Sequence, residues 1–205
     1  RIHIQHPGIP VVMYVNTSAE VKAETDVCCT SSNAVKIVNA LAAQGHDTVI
    51  MAPDMYLAKN VAAETDVKVI IWEGSCMVHE RFSAEDVRQM RTQHQDAFVM
   101  AHPECPPEVM AESDFSGSTA QINNYIVENQ PAKAILLTEC SMGSNIAGAN
   151  PGVEIVGTCQ MCPHMKRISL PKILKSLQTE EAEIHVDPDI AKRAKVAVER
   201  MLELS

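Results

Sequence analysis

The sequence predicts an α/β protein of two homologous three-layer units, each a short parallel sheet held between helices. Three observations carry this. Short Val/Ile/Met-rich runs alternate with stretches of helical periodicity, the pattern of a parallel sheet covered by helices. The runs are apolar throughout, as expected for strands buried on both faces. The chain is also similar to itself at a fixed offset, which defines the fold before any single element does. Val12-Met13-Tyr14-Val15-Asn16 and Val99-Met100-Ala101-His102-Pro103-Glu104 are both apolar runs that end in chemically capable side chains. The register continues through the pairs Tyr14/His102, Asp26/Asp114 and Ser31/Thr119, each 88 positions apart. After a slip in a loop, Cys76 and Cys162 pair at 86.

Strands are expected at 11–15, 48–52, 68–72, 97–101, 133–137 and 153–156. Thr17 with Glu20 three residues on forms a capping-box pattern that opens a helix toward Glu24. Val35, Val38 and Leu41 give helical spacing to 33–41, and 118–128 is its counterpart in the second unit. Ser83-Ala84-Glu85-Asp86 opens a helix that connects the units. Ser169 before Leu170-Pro171 opens another, since proline suits a first helical turn. Asp187-Pro188 starts a packing helix with Ile190, Ala194, Ala197 and Met201 on one face. The organisation is therefore a unit over 1–85, a unit over 86–186, and a C-terminal helix over 187–205.

At 46% hydrophobic and 21% charged residues, the 205-residue chain has an ordinary globular composition, with only 3% aromatics, so its cores must be aliphatic. A net charge of −9 argues against nucleic acid or an anionic membrane surface as partner. No run approaches the length of a membrane helix, and the first ten residues lack the apolar core of a signal peptide. Seven scattered cysteines read as cytoplasmic thiols and metal ligands and not as a secreted disulfide framework.

Ligands of open α/β sheets sit at the carboxyl ends of the strands. Tyr14 and Asn16 offer a hydroxyl and an amide there, and His102 and Glu104 a possible acid/base pair. Taken singly, such residues are usually local hydrogen-bond partners; the repeat places both sets on a common axis. Thr30-Ser31-Ser32 and Gly117-Ser118-Thr119 stand at helix starts, where plain capping is the commoner role and anion binding the sharper one. Cys76-x-x-His79 and Cys159-x-x-Cys162 are candidate metal or redox motifs. Cys28, Cys29, Cys105 and Cys140 read as small buried hydrophobes.

The segments YVNTSAEVKAETD, CCTSSNAVKIV, HPECP, SDFSGSTAQI and CPHMK resemble the quinolinate synthase family over essentially the whole chain. That resemblance implies three α/β units around a pseudo-threefold axis. It implies a 4Fe–4S cluster held by one cysteine from each unit, with the fourth iron free for substrate. The implied reaction condenses iminoaspartate with dihydroxyacetone phosphate, losing water and phosphate, to give quinolinate for NAD biosynthesis. The enzyme supplying iminoaspartate is then an expected partner.

Carried over by motif, Cys76 and Cys162 would be the cluster ligands of the second and third units. Tyr14, Val15, Asn16, Ser31, His102, Pro103, Glu104 and Thr119 match substrate-binding positions, and His79 lines the same site. Glu104 is expected as general base, His102 as the group that orients a carboxylate, and Tyr14 as a proton donor or acceptor. Cys159 resembles an extra cysteine whose disulfide with Cys162 would compete with the cluster. Only two units are present, so the chain is expected to be a fragment lacking the first unit, and inactive alone. The competing readings are a noncatalytic zinc- or thiol-based regulatory protein using Cys76, His79, Cys159 and Cys162, and a noncatalytic remnant.

Overall fold

The structure, a computed structural model, describes residues 2–205. It carries two four-stranded sheets in which every strand pair is parallel. The first holds β1 (Val11–Tyr14), β2 (Val27–Cys29), β3 (Thr48–Ala52) and β4 (Lys68–Ile71) in the order β2-β1-β3-β4. The second holds β5 (Phe98–Ala101), β6 (Phe115–Ser116), β7 (Lys133–Leu137) and β8 (Glu154–Val156) in the order β6-β5-β7-β8.

The offset read from the sequence is a true structural equivalence. Val12 pairs with Val27 as Met100 pairs with Phe115. Asp26 accepts the Val11 N–H at 2.7 Å, and Asp114 accepts the Val99 N–H at 2.8 Å. In both units one carboxylate thus closes the start of the central strand, where a buried N–H would otherwise lack a partner.

Each sheet buries both faces. In the first unit Val12, Val49 and Met51 pack against α3 (Ala34–Ala43) and α4 (Met55–Ala63) through Ile37, Val38, Leu41, Leu57 and Val61. Its other face, Val11, Met13, Ile50 and Ala52, meets Ile2 of the short helix α1 (Ile2–Gln5) and Ile9. In the second unit Met100, Ala134 and Leu136 pack on α7 (Thr119–Asn129) and α8 (Cys140–Ala149). The opposite face is covered by α5 (Ala84–Gln93) and α6 (Pro107–Ala111), with Val87, Met90 and Val109 against Val99, Ala101, Ile135 and Leu137.

Helix α10 (Pro188–Leu204) returns to the first unit and packs on α2 (Ala19–Ala23), β2 and α3. Its Ala194, Ala197 and Met201 are buried as the periodicity predicts, and Ile190 is half-buried. Helix α9 (Leu170–Thr179) holds the position in the repeat that α5 holds 86 residues earlier, yet it buries no residue. Its Leu170, Ile173, Leu174 and Leu177 are exposed.

All six expected strands are present within a residue or so. Strands β2 and β6, three and two residues long, were not predicted, because runs so short show no period. The expected cap of α2 at Thr17 is replaced by Ser18, whose hydroxyl accepts the Val21 N–H. A turn that donates the Thr17 N–H to the Val15 carbonyl moves the helix start on by one residue. Ser83 with Asp86 and Ser118 with Gln121 form full capping boxes.

Cys28, Cys29 and Cys105 are fully buried free thiols, as expected. Cys140 is not: it is half-buried and joined to Cys159 in a disulfide. The bridge between Glu139 and Gln160 sets the two cysteines side by side, at a Cα–Cα distance of 5.0 Å. The expected pairing of Cys159 with Cys162 is therefore corrected, and Cys162 is free. Among the described residues no helix is long and apolar enough to cross a membrane.

Leu41 is fully enclosed, whereas Leu202 is 67% exposed. Leu41→Ala should lower unfolding free energy by about 2–5 kcal/mol in urea titrations, because its cavity cannot collapse fully. Leu202→Ala should stay within about 0.5 kcal/mol of the parent chain.

Candidate active site

The strand ends of both units converge on one cavity of about 650 Å³. From the first unit come Tyr14, Asn16, Cys76 and His79; from the second, His102, Glu104, Thr119, Thr138, Glu139 and Cys162. His79 sits on a 3-10 turn (His79–Arg81) that follows the Cys76 loop. Its Nδ1 is 3.0 Å from Glu104 Oε2, and its Nε2 is 3.1 Å from Thr138 Oγ1. The His79 and His102 rings stack with centroids 4.5 Å apart.

Glu104 reaches this position through a tight turn. The Cys105 N–H donates to the His102 carbonyl at 2.9 Å, and the Glu104 N–H donates to His102 Nδ1 at 3.3 Å. His102 and Glu104 thus share a wall by turn geometry. Asn60, on α4 of the first unit, fixes that turn: its Nδ2 donates to the Pro103 carbonyl at 2.8 Å and to the Cys105 carbonyl at 3.1 Å. The carbonyls on either side of Glu104 are held from the neighbouring unit.

Burial opposes charge on His79, but the Cys76 thiol and the Glu104 carboxylate outweigh it and hold its pKa up at about 9. Burial and the neighbouring His79 charge hold His102 down at about 4, with Glu104 offsetting only part. Burial alone would raise Glu104; its hydrogen bond to His79 leads the opposing effects and holds it below its ordinary value. Burial and Glu104 push the Tyr14 hydroxyl well above its ordinary value. Near neutral pH the cavity therefore presents a cationic His79, an anionic Glu104, a neutral His102 and a protonated Tyr14. Because His102 Nδ1 accepts a hydrogen bond, its proton belongs on Nε2, which makes it a donor.

The family model for NadA, quinolinate synthetase A protein, matches residues 1–203. The chain belongs to this family. It is 54% identical over 198 residues to quinolinate synthase 2 of Mesorhizobium japonicum, covering 97% of this chain and 60% of that protein. It is 55% identical over 199 residues to quinolinate synthase of Xylella fastidiosa, covering 97% of this chain and 58% of the relative. With quinolinate synthase of Caulobacter vibrioides the identity is 52% over 201 residues, 98% of this chain and 55% of the relative. The chain thus spans a little over half the length of the relatives it matches.

Of the residues singled out by quinolinate synthase resemblance, Tyr14, Asn16, His79, His102, Glu104, Thr119, Cys76 and Cys162 line the cavity. Val15 does not; it packs against the first core, and its N–H donates to the Cys29 carbonyl. Ser31 lies beside Tyr14 and, with Pro103, lines a smaller polar cavity of about 210 Å³. Sequence reading missed Thr138, Glu139, Asp54 and Asn60. The first three follow strands at 48–52 and 133–137, so extending the strand-end rule to every strand would have found them.

The family's cluster can be tested against the donors present. Cys76 and Cys162 are free, half-buried thiols at equivalent repeat positions on one cavity, the soft donors that an iron–sulfur cluster takes. They fit two of its ligand positions. The Cys76, His79 and Glu104 ligand atoms also lie within 4.8 Å of one another. The four-residue zinc set expected above loses Cys159 to the disulfide.

The two histidines should be separable by NMR, with His79 titrating near 9 and His102 near 4. The signs follow by linkage. The raised His79 stabilises the fold below the ordinary histidine pKa and loses that contribution as pH rises through about 9. The depressed His102 costs stability as pH falls from its ordinary pKa toward about 4. His79→Gln should remove the alkaline limb of the stability profile and weaken the acid limb without abolishing it, because burial still depresses His102; equal loss of both limbs would refute the assignment.

Proposed function

We propose that this chain is part of a quinolinate synthase, a transferase that condenses iminoaspartate with dihydroxyacetone phosphate and releases water and phosphate, for NAD biosynthesis. The supporting observation is the single cavity that gathers two free thiols and the Tyr14, His79, His102 and Glu104 side chains from both units. Cys76 and Cys162 would hold two irons of a 4Fe–4S cluster, with the third thiolate supplied from outside these 205 residues. When bound, the cluster supplies a Lewis acid that polarises a substrate oxygen.

The protein's own groups divide the remaining work. Glu104, kept ionised by His79, takes the proton at the reacting carbon. The cationic His79 neutralises substrate charge. His102 donates from Nε2 to a carbonyl or carboxylate oxygen, and Tyr14 returns a proton. Asn16 and Thr119 orient the polar ends of the substrate, and Ser31 acts from behind Tyr14. Water cleaves an imine, so direct delivery of iminoaspartate by the enzyme that makes it would shorten its exposure to solvent. We place the reaction in the cytoplasm, where thiols such as Cys76 and Cys162 stay reduced and the Cys140–Cys159 disulfide would be the exception.

The zinc reading now rests on Cys76, His79 and Glu104 alone. Anaerobically purified complete protein should be brown, with broad absorption near the violet; a colourless protein with stoichiometric zinc would sink the cluster. Glu104→Gln should lower kcat by about 10²–10⁴-fold with iron content unchanged. Near-parental turnover removes Glu104 as the base.

A further inference from the structure

The two cysteine loops share a support that the proposed chemistry does not use. In the first unit the carboxylate of Asp54, buried at 5% exposure, accepts the Tyr56 and Leu57 N–H groups through Oδ1 at 2.7 and 2.9 Å. Its other oxygen, Oδ2, accepts the backbone N–H of Cys76 at 2.6 Å. In the second unit Glu139, buried at 7% exposure, accepts the Ser141 N–H through Oε2 at 2.7 Å. Its Oε1 accepts the backbone N–H of Cys162 at 3.3 Å. Each carboxylate caps the helix that follows its unit's third strand, and each spends its second oxygen on the cysteine of the same unit.

Capping needs one oxygen. Across the two units the residue type has changed from Asp to Glu and the backbone has shifted by one position, yet the second bond is kept. We propose that Asp54 and Glu139 are positioning residues that fix the backbone of Cys76 and Cys162, so that both thiols face one centre. This rests on the cluster reading above for its purpose, but not for its geometry. Outer partners of this kind orient metal ligands, and their loss weakens metal binding.

The two supports are unequal. Loop 158–162 is also tied down by the Cys140–Cys159 disulfide and by the Cys140 N–H donating to the Gln160 carbonyl at 3.1 Å. At the corresponding place in the first unit Met55 N–H donates to the Gly74 carbonyl at 2.7 Å, and no disulfide accompanies it among the described residues. Glu139 also meets Lys166 Nζ at 3.4 Å, a partly solvated pair. Asp54 is therefore expected to matter more than Glu139 while the disulfide is intact.

Asp54→Asn and Glu139→Gln separate positioning from capping. An amide keeps one oxygen for the helix, and Asn caps about as well as Asp. Its NH₂ cannot accept from the cysteine N–H. Both variants of the 205-residue chain should melt close to the parent. Iodoacetamide should label Cys76 about fivefold faster in Asp54→Asn, the shift that one net hydrogen bond supports, with Cys162 unchanged. Glu139→Gln should show the reciprocal pattern, with a smaller effect that grows when Cys140→Ala removes the disulfide. In the complete protein reconstituted anaerobically with ferrous iron and sulfide, each variant should hold iron about tenfold more weakly. Parental labelling rates at the local cysteine in both variants would overturn the proposal, whatever the iron content. A parental protein that takes up no iron–sulfur cluster would overturn the proposed function instead, and the labelling rates would still decide the role of the carboxylates.

Discussion

The cavity depends on one contact made across the boundary between the sheets, the hydrogen bond from His79 of the first unit to Glu104 of the second. Both side chains are close to nine-tenths buried. Removing one partner of such a buried pair leaves an uncompensated charge, at a cost of about 3–5 kcal/mol. The pair therefore locks the Cys76 loop to the end of β5 as well as setting the protonation of both groups. Thr138 on the far side of His79 and Asn60 beneath Glu104 leave neither free to swing away.

Around that contact the repeat supplies a common frame, and the side chains break its symmetry. Tyr14 stands where the second unit has His102, Asn16 where it has Glu104, and His79 where it has Met165. The frame-setting residues stay chemically alike: Asp26 and Asp114 at the strand starts, Asp54 and Glu139 at the helix starts, Cys76 and Cys162 on the loops. Positions that hold backbone have little latitude, because a buried N–H must find an acceptor. Positions that face the cavity are free to differ, and so present different groups on its opposite walls.

Much of this was legible in the sequence. The six longer strands announce themselves as continuous apolar runs, and the pairs at offset 88 gave the superposition of units without coordinates. Strands β2 and β6 were hidden by their brevity. The fate of Cys140 was hidden for another reason: its neighbour in space is set by the bridge between Glu139 and Gln160, a tertiary pairing with no local signature. Val15 shows the limit of reading a motif as a block. It lies between two cavity residues, but its side chain turns the other way into the core. Asn60 could not have been found at all, because its role depends on carbonyls more than forty residues away.

Helix α10 gives the molecule an order of assembly. Ala197 and Met201 belong to the same core as Val12, Val27 and Leu41. Arg193 pairs with Glu24, and Arg200 donates to the Asp26 carbonyl, about 170 residues back along the chain. Of the two sheets in this chain, the one synthesised earlier is thus the one completed later, once residues 188–204 have been made. Its β2 edge waits uncovered while the whole second unit is synthesised and folded. Contacts of such long range fold slowly and leave apolar surface open in the interval. The first unit of this chain consequently keeps part of its apolar core open until Ala197 and Met201 arrive.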